Sequence, residues 1–411
     1  MVVALALTLV AAVLVKGPDA MLRSGGCDTD APVVGKLAAG TEVEVRSSIA
    51  GAGGACYRVS AKIDGKAVVG NVSGSMLSGL EEFDRARQMA AGGESVQVMT
   101  AQQVESLRKT VSKNVGGGGP VQQAVALLEQ NQAAKALEIL GPLTGQGNPD
   151  VMTLAGVAAW KADQIKLALE YWKSAQALKP SEQLSRMISR VEKEVAHDKS
   201  SDKLIGLRVA LRYEGQAMPY ATAKTMLEVL DGEVSRVSGI IGCPTHERLI
   251  AVVQSPNDYR QGAQAAEWSG GQFDGRIRVP FPSGGEFDAR MRRTFAHEVT
   301  HACLANMGPW PAWLHEGLAQ RLSGESLPAP MREALKELAN RKQLPKLQDL
   351  QRDWSNMSSE NARIAYALAL AGADEMVDGY GASLGLRTIL SSPALLDRAT
   401  NEINKRLGLV N

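Results

Sequence analysis

The chain has 411 residues and a mass of 43.7 kDa, room for two or three domains of about 150 residues, which excludes a single compact core. Its 45 Lys and Arg residues against 44 Asp and Glu leave a net charge of +1, so no global electrostatic footprint for nucleic acid exists and no nucleic-acid partner is expected. Hydrophobic residues at 45% and charged residues at 22% are ordinary globular values, and the chain is expected to fold.

Residues 2–15 (VVALALTLVAAVLV) carry no charge. The run is too short to span a bilayer comfortably and matches the apolar core of a signal peptide. Residues 1–19 are therefore read as a signal segment, with an extracytoplasmic location (periplasmic, cell-envelope or secreted) and no stable transmembrane helix in the mature chain. The alternative is a buried apolar strand or helix broken by Lys16, Gly17 and Pro18. Four cysteines, an even number, suit an oxidising compartment. Cys27 with Cys56 and Cys243 with Cys303 could form one disulfide within each of two domains; the alternative is four buried free thiols.

Residues 20–79 show short β runs: Val43 and Val45 alternate with charges, Tyr57 and Val59 repeat the pattern, and Gly, Asp and Asn turns intervene. The expected product is a small β barrel. Residues 80–119 read as a polar helical linker closed by Gly116 to Gly119. Residues 120–200 read as paired helices, ending in an amphipathic connector on which His197 stands among charges. Residues 201–411 begin with strands around Leu207–Tyr213, Leu249–Val253 and Arg276–Val279, with a helix from about 220 to 240, and turn helical from 288. That order predicts an α+β domain, and the whole chain is expected to be multidomain.

Three of the five histidines lie between 297 and 315. His297-Glu298-Val299-Thr300-His301 is an HExxH segment within DARMRRTFAHEVTHACLANM, a proline-free stretch predicted helical with Asp288 as its N-cap. Residues four apart share a helix face, so both imidazoles can meet one ion while Glu298 lies beside it as a base. A catalytic Zn²⁺ wants a third protein ligand and an open position. The helix expected after Pro311 offers His315 and Glu316.

Several segments resemble known families. PVVGKLAAGTEVEVR with ACYRVSAKIDGKAVVGNVSG resembles bacterial Src-homology-3-like domains, from whose pattern Asn71 departs. Gly156, Ala168, Trp172, Ala175 and Pro180 fit one tetratricopeptide-like unit, which implies helical hairpins. A scaffold is the favoured reading of these repeats, with a protein partner docked on them as the alternative. WLHEGLA resembles the W-L-x-E-G-x-A element of gluzincin metallopeptidases, and EWSGGQFDGRIRVP resembles a segment that precedes the metal helix in peptidase-MA-like domains. Trp268, Gly271, Asp274, Gly275 and Val279 carry that second likeness. Met307 and Leu304 stand where metzincins have a ligand histidine and a glycine, which excludes that class.

The resemblance implies a zincin-like fold from about 202 to 390, with His297, His301 and Glu316 as Zn²⁺ ligands and Glu298 as general base. It implies a peptide or protein substrate, and an edge strand ending at Val279 and Pro280 for an extended peptide to join. It also implies an oxyanion donor downstream: Tyr366 stands where related domains place a helical tyrosine, and Tyr380, before Gly381, is expected to be structural. Gln320 occupies a position often acidic in related enzymes, where it supports a ligand histidine. The expected function is a zinc metallopeptidase; the alternative is a non-catalytic zinc- or peptide-binding interaction protein of the cell envelope.

Overall fold

The computed structural model describes residues 13–17, 20–24, 27, 32–51, 54–63, 65–80, 119–198, 201–216, 218–244, 246–256, 258–259, 271–282, 284–285, 287–350 and 359–409. Three separate apolar cores divide it, drawn from residues 13–80, 121–195 and 209–409, so the chain is multidomain. Residues 81–118 of the expected linker, residues 2–12 of the apolar run and Trp268 lie outside the described residues.

The first unit is an antiparallel sheet of strands β1 (Val13–Val15), β2 (Ala20–Arg23), β3 (Val33–Leu37), β4 (Glu42–Gly51), β5 (Gly54–Ile63), β6 (Lys66–Ser73) and β7 (Leu77–Ser78). Their order is β3-β2-β6-β5-β4-β1-β7. The end strands β3 and β7 are not paired with each other, so among the described residues the expected barrel does not close. Leu22, Leu37, Val43, Tyr57, Val59 and Val72 fill its core. Strand β1 is the tail of the apolar run: Val13 and Val15 are buried, and β1 pairs with both β4 and β7. Leu14 between them faces outward, and the sheet extends N-terminal to the expected boundary at residue 20. Asn71, the departure from the barrel pattern, is buried and donates from Nδ2 to the Arg23 carbonyl at 3.2 Å, fastening β6 to β2. A Cys27–Cys56 disulfide closes the unit.

The second unit stacks α1 (Pro120–Glu129), α2 (Ala133–Leu140), α3 (Pro149–Lys161), α4 (Ile165–Leu178) and α5 (Glu182–Asp198), each packed on the next. Asn148 caps α3 by accepting from the Asp150 and Val151 amides, with Pro149 in the first turn. Trp172 fills the gap between α3 and α4 against Gly156 and donates from Nε1 to the Thr153 carbonyl at 3.1 Å.

The third unit holds a five-stranded sheet of β8 (Ser201–Ile205), β9 (Val209–Glu214), β10 (Leu249–Gln254), β11 (Gln272–Phe273) and β12 (Ile277–Pro280), in the order β11-β12-β10-β9-β8. Strands β9, β10 and β12 run parallel, and each end carries an antiparallel neighbour. Parallel strands need a crossover, and α6 (Tyr220–Ile241) supplies the one between β9 and β10. The edge expected at Val279 and Pro280 is one strand further out: β11 flanks β12, pairing Phe273 with Ile277 and Gln272 with Arg278. The rest is helical: α7 (Ala289–Met307), α8 (Ala312–Leu322), α9 (Ala329–Asn340), α10 (Ser359–Tyr380), α11 (Leu384–Ile389) and α12 (Pro393–Arg406). Among the described residues no helix is long and apolar enough to cross a membrane.

Candidate metal centre

Helix α7 starts where its sequence says it should. Asp288 accepts from the Met291 amide at 2.8 Å, satisfying one of the donors that a helix start leaves open. Three turns in, His297, Glu298 and His301 are all buried. A Cys243–Cys303 disulfide ties this helix to the segment after α6, and closing a loop of that length removes about 4 kcal/mol of unfolded-state freedom in the chain-entropy account.

Helix α8 brings the other half. Glu316 and His315 are buried, and Gly317 explains how α8 sits so deep: a Cβ there would stand 2.3 Å from the Ala369 carbonyl oxygen of α10. Only a glycine lets the two backbones approach this closely.

Glu316 Oε2 lies 3.7 Å from His297 Nε2 and 3.6 Å from His301 Nε2. The ligand atoms of these three residues all fall within 4.8 Å of one another, and they are the group among the described residues that could hold a metal ion. Tetrahedral bonds of roughly 2.1 Å put ligand atoms about 3.4 Å apart, so the triangle fits one small divalent cation. The donor set fits too: His297 Nε2 and Glu316 Oε2 are buried and make no hydrogen bond among the described residues, which is costly unless a cation satisfies them.

Burial sets the titration of the cluster. It pushes Glu298 up to about 8. Glu316 is driven well above the carboxylate range by burial first, then by Glu298 and Glu325. Burial lowers His297 and His315 to about 4, and lowers His301 well below its ordinary value together with the neighbouring imidazoles. Neutral imidazole is the form that ligates.

Two more residues of α8 are buried beside Glu316. Gln320 donates from Nε2 to the carbonyls of Glu316 at 3.0 Å and Tyr366 at 3.2 Å, which ties α8 to α10. His315, a neighbour of the implied ligand Glu316, lies outside the ligand triangle; its ring stacks on that of His301 with centroids 5.7 Å apart and planes 21° from parallel. Tyr366 is fully buried on α10, and its backbone carbonyl is the one that accepts from Gln320. Tyr380 ends the same helix under the Arg406 guanidinium, 5.6 Å from its ring.

No protein-family model and no curated protein matches this chain.

Proposed function

We propose that the chain is a zinc-dependent metallopeptidase of the gluzincin type, with Glu298 as general base. The observation that carries this is the buried triangle of His297, His301 and Glu316 with Glu298 one residue along the same helix. Two imidazoles and one carboxylate are the donor set of a catalytic zinc, since a structural zinc is closed by four protein ligands. Among the described residues no fourth His, Cys, Asp or Glu joins the group.

Zinc held there supplies Lewis acidity toward a water and the scissile carbonyl. Glu298 takes the water's proton on its carboxylate and returns it to the leaving amine. Its burial among Thr294, Gly271 and the metal helix excludes bulk water from that transfer. Tyr366 donates from its hydroxyl to the developing oxyanion. The substrate is a peptide or protein, entering beside the short edge strand β11.

The same proposal extends to the setting. The two disulfides and the apolar run support an extracytoplasmic location. The open N-terminal sheet is read as a Src-homology-3-like domain and the helices as tetratricopeptide-like repeats, a scaffold for the zincin-like domain.

Glu298→Gln tests the reading. The amide keeps the shape and removes the base, so zinc should remain while hydrolysis falls by about 10²- to 10⁴-fold. Hydrolysis retained by that variant contradicts the role. Zinc bound by a wild-type chain that cleaves nothing in a broad peptide library favours the non-catalytic alternative.

A further inference from the structure

The third unit's sheet turns a row of cations away from its metal helix. Strand alternation puts Ile277 and Val279 in the core with Phe295 and Val299 of α7 and Arg276 and Arg278 on the opposite face. Arg278 and Arg212 both register with Val252, and Arg212 registers with Lys203, so the basic row crosses four strands. All three arginines are buried.

The helical array covers this row with carboxylates. Asp163, in the turn between α3 and α4, accepts from Arg212 Nη2 at 2.9 Å, Arg276 Nη1 at 2.7 Å and Lys203 Nζ at 2.6 Å. Glu194 of α5 accepts from Arg278 Nη2 at 2.9 Å, and its Oε1 stands 2.9 Å from Arg276 Nε. Arg276 also donates to the Trp160 carbonyl at 3.0 Å, with its guanidinium 4.9 Å over the Trp160 ring. Asp274 accepts from Arg278 Nε at 2.8 Å.

These contacts grip the turn of the β11–β12 hairpin. Gly275 has φ +99°, and a Cβ there would stand 2.5 Å from the Trp160 ring. The hairpin's other end abuts the metal centre: a Cβ on Gly271 would lie 2.8 Å from both Glu298 Oε1 and Thr294 Cγ2. Four residues, about 13 Å of strand, separate the two contacts. Buried ion networks add little net stability over apolar packing of the same volume, but they fix geometry.

We infer that the helical array, acting through Arg276, positions the β11–β12 hairpin against Glu298, which makes Arg276 a positioning residue and the array a part of the catalytic unit. The effect on turnover rests on the peptidase reading above; the mechanical coupling does not. Loosening the grip frees Gly271 to drift from Glu298, and a drift near 1 Å is enough to cost turnover about tenfold or more. The metal ligands sit on α7 and α8, outside the hairpin, so metal binding is spared.

The test uses the full chain with Trp160→Ala, which leaves every charge paired, and Glu194→Gln, which does not, with Glu194→Asp as the conservative control. Hydrogen exchange of residues 271–279, zinc content, and kcat and KM on a cleaved peptide are measured for each. Exchange at 271–273 should rise about tenfold or more in Trp160→Ala and Glu194→Gln. Zinc per chain should be unchanged, kcat should fall about tenfold with KM within about twofold, and Glu194→Asp should recover part of the loss. Faster exchange confined to 276–279, or a kcat loss that tracks loss of zinc, overturns the inference. A wild-type chain that binds zinc but cleaves nothing removes the peptidase reading alone, and exchange at 271–273 then decides the coupling by itself.

Discussion

Two buried polar clusters lie in this molecule a short hairpin apart; burial pushes the carboxylates of both upward, and the charges around them send the two clusters opposite ways. At the contact between the helices and the sheet, burial alone would raise Glu194, yet Arg276 and Arg278 beside it hold it down at about 2. Asp163 is lowered in the same way, by Arg276, Lys203 and Arg212 against its burial. At the metal centre, burial meets no opposing charge: Glu298 rises to about 8 and Glu316 rises well beyond the ordinary range. The first cluster carries its own counter-charges, with a carboxylate against each buried guanidinium. The second concentrates acceptors and imidazoles around one point, with no cationic side chain among the described residues that shift them, which is the arrangement that a metal ion completes. A buried carboxylate is thus best read through what opposes its burial.

Three results sharpen this contrast. The largest effect is expected at the metal centre: Tyr366→Phe should lower turnover by about 10²- to 10³-fold with zinc retained and KM little changed, as loss of one oxyanion donor does. Tyr380→Phe should leave turnover nearly intact, because that ring packs under Arg406 at a helix end. A large loss at Tyr380 with none at Tyr366 reverses the assignment and leaves the ligand set standing.

The second effect belongs to the paired cluster. Glu194→Gln removes one of the two carboxylates that each of Arg276 and Arg278 faces, leaving Asp163 and Asp274, and breaking one side of a buried pair costs about 3–5 kcal/mol of stability. Denaturant unfolding at neutral pH measures it, and a loss below about 1 kcal/mol would show that the pair is not held as described.

The third and smallest effect is the pH dependence of that same group. Its folded value of about 2 lies below the ordinary carboxylate value of 4.5, so its contribution is fully present above about pH 4.5 and is lost as pH falls toward 2. The contribution is on the order of 3 kcal/mol. The stability gap between wild type and Glu194→Gln should therefore narrow across that window, and a gap independent of pH would contradict the depressed value.

What the sequence made legible was local. HExxH on one helix face and Asp288 as the cap of that helix depend on local spacings, whereas Glu316 was reached only through the resemblance of WLHEGLA. The alternation of Arg276-Ile277-Arg278-Val279 also announced a strand with one charged face, but not what covers it. Asp163 and Glu194 lie about 80 to 115 residues earlier, beyond any periodicity. The same limit explains β11, whose two residues carry no pattern of their own and gain a place at the edge only through pairing with β12. Val13–Val15 was hidden because a buried strand and the end of an apolar leader look alike in a charge-free run. The bond from Gln320 to the Tyr366 carbonyl was equally out of reach, since the two residues lie 46 positions apart.

The central claim is that the unopposed cluster holds a metal, and elemental analysis of the purified full chain tests it most directly. Wild type and Glu298→Gln should each carry one zinc per chain, and His301→Ala should carry none, because removing one of three ligands from a triangle 3.6 to 3.7 Å on its measured sides leaves no site. Zinc content unchanged in His301→Ala would contradict the account.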